Sequence, residues 1–161
     1  MASWSGARSL IQCSADYCGR DEVPIAIRGL CPLLQVFDMP TSLRFYRDVL
    51  GFAEVSKSGT GDDVHWAWLR HGDADVMLNT AYDDGQRPPT PDPARVTAHA
   101  DTGLFMGCED LEGAYAYLVS QGVRAQPPKT APYGMKQLFA TDPDGYELCF
   151  QWPAEQTDQK R

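Results

Sequence analysis

Short apolar runs recur along this chain twice, in the same order. Leu33-Leu34-Gln35-Val36-Phe37 runs into Asp38, and Phe105-Met106-Gly107-Cys108-Glu109 runs into Asp110. A stretch of helical periodicity follows each run, residues 41–50 and residues 111–121, and each stretch meets a glycine, Gly51 and Gly122. At the offset that superposes the runs, Leu43 and Tyr46 fall on Tyr115 and Leu118, an i, i+3 pair on one helical face. Asp38 and Asp110 stand just before these helices, where a short polar side chain caps free N–H groups. The shared order of the matches predicts a duplicated module.

After each helix the pattern becomes that of strands. In the first copy residues 52–57 precede a hairpin with arms 64–70 and 74–80, turning at Gly72-Asp73. In the second, residues 123–126 precede a hairpin with arms 135–141 and 146–152, turning at Asp142-Pro143-Asp144-Gly145. Each module therefore reads strand, helix, three strands, over 31–81 and 103–152. Residues 82–102, rich in Pro, Asp and Gly, form the connector. A single domain spans 27–152, flanked by an N-terminal arm, 1–26, and a C-terminal tail, 153–161.

Strand parity selects the side chains that can face a cleft. A two-residue turn at Gly72-Asp73 sets Trp68 opposite Met77 and Trp66 opposite Asn79, with Val76, Leu78 and Thr80 on the other face. Two Trp, a Met and an Asn on one face can form an apolar pocket wall with a polar anchor, or part of a core or dimer interface. His65 and His71 share the opposite face, and His99 falls in the connector. Glu147 and Gln151 share the face of Cys149, which makes Glu147 the best acid–base candidate.

Composition narrows the function. The chain has 161 residues and a net charge of −8, and no basic cluster. Duplex nucleic acid and anionic membranes, which need Lys and Arg to neutralise phosphate, are disfavoured. No apolar run is long enough to cross a bilayer, and residues 1–21 lack the apolar stretch of a signal peptide, so a cytoplasmic protein is expected. Five cysteines, an odd number and widely spaced, suit free thiols; Cys13 and Cys18 lack the second pair of a zinc knuckle.

Val36-x-Asp38-x-x-x-Ser42-x-x-Phe45-Tyr46-x-x-x-Leu50-Gly51-Phe52 resembles the opening signature of the glyoxalase / bleomycin-resistance / extradiol-dioxygenase superfamily, also called the vicinal oxygen chelate superfamily. Tyr133-Gly134-Met135 followed by Asp142-Pro143-Asp144-Gly145-Tyr146-x-Leu148 resembles its closing signature. The resemblance implies an α+β fold: two βαβββ modules whose mixed sheet forms a U-shaped half-barrel with helices on the convex side. It also implies a homodimer. In metal-dependent members a divalent ion sits in the cleft on His, Glu or Gln ligands. Here the equivalent positions are Cys31, Asn79, Gly103 and Cys149, two thiols, an amide and no side chain.

The leading expectation is a metal-independent protein, without a cofactor, that binds a small apolar or cationic aromatic molecule. Trp66, Trp68, Met77, Asn79, Phe105, Tyr133 and Cys149 would line its site. The alternatives are a lyase, epimerase or dioxygenase using a non-standard ligand set, and a dimeric scaffold with no small-molecule role.

Overall fold

The computed structural model describes residues 25, 27, 29–82 and 85–154. The expected arm, apart from Ile25, and the tail beyond Ala154 lie outside the described residues, as do Cys13 and Cys18. The described residues from Cys31 onward form a compact unit of their own.

The duplicated module is present. The first copy comprises β1 (Leu33–Val36), α1 (Met39–Leu43), β2 (Ala53–Lys57), β3 (Trp66–His71) and β4 (Ala74–Thr80). The second comprises β5 (Gly103–Gly107), β6 (Lys129–Thr130), β7 (Met135–Thr141) and β8 (Glu147–Pro153), with a helix over Leu111–Ser120. Each copy builds a four-stranded sheet with one topology, β1-β4-β3-β2 and β5-β8-β7-β6. The first strand of each lies parallel to the last, because a helical crossover separates them, and the hairpins are antiparallel. This is the α+β, two-module half-barrel, open and with helices on its convex side.

The caps are where the sequence puts them. Asp38 accepts from Thr41 N–H at 3.1 Å, and Asp110 accepts from Gly113 N–H at 2.8 Å. Beyond Leu43 the first helix continues as a π-helical stretch, Arg44–Val49, in which Leu50 N–H reaches back to the Phe45 carbonyl.

Two sequence expectations are corrected. The connector contains a helix, α2 (Pro93–His99), so the second module's helix is α3 (Leu111–Ser120). Asp92-Pro93, which reads as loop composition, is a helix start: Asp92 accepts from Ala94 N–H at 2.9 Å, and Pro needs no N–H partner in a first turn. The strand expected over 123–126 is reduced to one bridge, Ala125 to Ala140, and the strand proper is β6. Pro127 and Pro128 have no N–H to give the ladder, so pairing stops and resumes after them.

Leu34, Val36, Leu43, Phe52, Ala67, Leu69, Val76 and Leu78 pack in one cluster that also takes Tyr146 and Leu148 from the second module. A smaller cluster gathers Leu111, Leu118, Leu138 and Ala140 beneath α3. The modules therefore share apolar surface. Among the described residues no helix is long and apolar enough to cross a membrane.

Candidate functional site

The hairpin register is the expected one. Trp66 pairs with Asn79 and Trp68 with Met77, and across β4 these rows continue to Gln35 and Leu33 on β1. Since Ala67, Leu69, Val76 and Leu78 are buried on the core side, period-two alternation turns the Trp rows to the concave side. All four predicted side chains there are half-buried. The register thus brings Trp66, Trp68, Met77 and Asn79 together.

Polar groups hold this face in place, and sequence reasoning missed most of them. Asp75 accepts from Trp68 Nε1 at 2.9 Å and from Arg70 Nε and Nη2 at 2.8 and 3.1 Å. The Arg70 guanidinium stands 5.0 Å from the Trp68 ring centroid, and its hydrogen bonds hold the Asp75 carboxyl below the usual range. Asn79 Nδ2 donates to Gln35 Oε1 at 3.3 Å and to the Thr80 carbonyl at 3.0 Å. Hairpin spacing could have found Asp75, since Arg70 and Asp75 face each other across the turn.

On the second module Phe105 lies between Gly103 and Gly107 along β5, and β8 sets Cys149 beside it, with Phe139 beyond. Tyr133 Oη donates to Gln137 Oε1 at 2.9 Å, and Gln137 Nε2 to Gln151 Oε1 at 3.0 Å. Phe105 and Tyr133 are 58% and 70% exposed. Glu147 is exposed, in register with Gly103 and Thr141.

The four metal positions of the family can now be tested as a donor set. A Cβ at Gly103 would sit 3.1 Å from Phe105 Cε2, so the aromatic ring occupies the space a ligand side chain would need. Cys149 is fully buried, and burial, with Glu147 nearby, pushes its thiol up to about 11. Burial and Asp75 likewise raise the Cys31 thiol. A metal needs the thiolate, and both environments oppose it. The set does not fit a divalent ion, and no group of three or more His, Cys, Asp or Glu among the described residues is placed to hold one.

The histidines are elsewhere. His71 packs against Phe52, with ring centroids 5.6 Å apart. His99 ends α2, stacks on Tyr146 at 4.1 Å, and places Nδ1 2.7 Å from the Asp144 carbonyl. His65 borders a separate polar cavity of about 250 Å³, with Asp63, Tyr82 and Arg87.

Two buried carboxylates that read as turn residues join the modules. Asp144 accepts from Phe37 N–H at 2.6 Å and Ser42 Oγ at 2.7 Å. Asp142 accepts from Tyr46 Oη at 2.9 Å and from the N–H groups of Asp144 and Tyr146. Burial outweighs these bonds and pushes the Asp142 carboxyl up to about 6; Asp144 is raised for the same reason. Ser42 and Tyr46, one helical turn apart, were the sequence signal for this link.

Comparison with known proteins shows the family and the fold. The profile of the Glyoxalase/Bleomycin resistance protein/Dioxygenase superfamily matches residues 29–150, and the chain belongs to that superfamily. Among solved structures it is similar to SMU.1112c, at 25% identity and TM-score 0.63, covering 80% of this chain and 100% of that one. It is also similar to TnmS3, an antibiotic binding protein from Streptomyces sp. CB03234, at 22% identity and TM-score 0.60, covering 81% and 99%. A glyoxalase/bleomycin resistance protein from the same Streptomyces strain matches at 23% identity and TM-score 0.53, covering 78% and 100%. No curated protein matches the chain.

Proposed function

We propose that this protein binds a small apolar or cationic aromatic molecule on its concave face, without a metal or other cofactor. The observation that carries the proposal is the paired row of Trp66 and Trp68 with Met77, turned away from the core and half-exposed. A flat ligand gains area by stacking on such a surface, and rings already held by neighbours lose little freedom when it binds. Asp75 fixes Trp68 through its indole N–H. Arg70 covers Trp68, so a cationic ligand finds its free indole at Trp66, in a chain whose net charge of −8 favours it. TnmS3 illustrates that an antibiotic binding protein can have this fold.

The proposal places the protein in the cytoplasm as a homodimer. It is tested by titrating the protein with an acridinium compound and with neutral anthracene carboxamide, following Trp emission with and without a chelator. Saturable quenching is expected, unaffected by chelation and about tenfold weaker after Trp66→Ala, a loss of about 1.4 kcal/mol. Quenching that survives both Trp66→Ala and Trp68→Ala, or that requires added metal, would refute it.

A further inference from the structure

On the convex side, away from the Trp rows, a groove of about 290 Å³ lies where the two modules meet. Arg44, Phe45 and Val49 form one wall; Val123, Arg124 and Pro143 contribute to the other. We propose that this groove is a second binding site, for a small organic anion with an apolar body, such as an aromatic carboxylate.

Three observations carry this. First, neither Arg44 nor Arg124 makes an ion pair among the described residues, although acids outnumber bases in the chain. The contrast lies within one stretch: Arg47 is held by Asp48 and Asp62 at 2.7 and 2.8 Å, which engages the two acids whose charge Arg44 also feels. Second, the one carboxylate lining the groove, Asp142, is turned inward to Tyr46 Oη and two backbone N–H groups, so it offers the groove's cations no partner. Third, Arg44, Phe45 and Val49 all come from the π-helical stretch. Such a stretch is uncommon and is found disproportionately at functional sites. Two unpaired guanidiniums over apolar side chains suit a carboxylate, which accepts paired N–H bonds, attached to a ring that takes up apolar area.

This site and the concave one differ in the charge they select, so either can fail without the other. The test is 2-naphthoate added to isotope-labelled protein, followed by backbone amide NMR shifts, with neutral 2-naphthamide as control. Saturable shifts are expected at residues 41–49 and 121–124, with binding about tenfold weaker for the amide, for Arg44→Gln and for Arg124→Gln. Both arginines are exposed, and the amide control needs no variant. Equal binding of naphthoate and naphthamide, shifts confined to the Trp66 and Trp68 rows, or no saturable shift would overturn the proposal.

Discussion

Gly72 and Asp73 close the first module's hairpin in two exposed residues, whereas the matching turn of the second module, from Asp142 to Tyr146, is buried except at Pro143. The sheets around them have the same strand order, so the difference lies in what each turn meets. The first turn meets solvent. The second reaches across to the end of β1 and the π-helical stretch, where Asp144 takes the N–H of Phe37, just past β1, and Asp142 takes the Tyr46 hydroxyl. A duplicated backbone can thus keep its topology while one copy's turn becomes the polar link between copies.

Substitutions should separate the two turns sharply. Asp144→Ala removes the acceptor of the half-buried Phe37 N–H and leaves the buried Ser42 hydroxyl only the Asp38 carbonyl at 3.2 Å, and should lower stability by about 2–3 kcal/mol in urea denaturation. Asp73→Ala, at the matching exposed turn, should change stability by less than about 0.5 kcal/mol.

The pH dependence sharpens the comparison further. Because the folded carboxyl of Asp142 is raised to about 6, its contribution is fully present below the unfolded value near 4 and is lost as pH rises through 6. Asp142→Asn removes that titration. The stability of wild type minus variant should therefore fall by about 2–3 kcal/mol between pH 4 and pH 7, measured in denaturant at each pH. A flat difference would mean the carboxyl is not raised.

The same two turns differ at their glycines. Gly145 and Gly72 both have positive φ, 94° and 57°. A Cβ at Gly145 would also lie 2.5 Å from the Val96 carbonyl oxygen of α2, while nothing lies within 4 Å at Gly72. Gly145→Ala should cost about 2 kcal/mol and Gly72→Ala about 1, read as shifts in thermal midpoint.

Much of this was legible in the residues. Leu33–Val36 and its repeat, the capping Asp38 and Asp110, and the pairing of Trp66 with Asn79 follow from local periodicity and turn length, which depend on near neighbours. The helix Pro93–His99 was hidden because Pro and Asp mark both loops and helix starts. The strand expected over 123–126 was misplaced because its apolar pattern continues where Pro127 and Pro128 forbid a ladder.

At the candidate site the sequence supplied the Trp rows and the four positions equivalent to the family's metal ligands, but not the contacts around them. That Asp75 pins Trp68, and that the Phe105 ring fills the space at Gly103, depends on side-chain directions across strands.

By itself, then, the sequence determined the duplicated module, its strand parity and its family signatures, since each rests on spacings of a few residues. Only the tertiary structure decided that Asp142 and Asp144 are buried donors' partners rather than solvated turn residues. Their partners, Phe37, Ser42 and Tyr46, stand about a hundred residues away in the chain. Burial and hydrogen bonding at that separation are properties of packing, which no local pattern encodes.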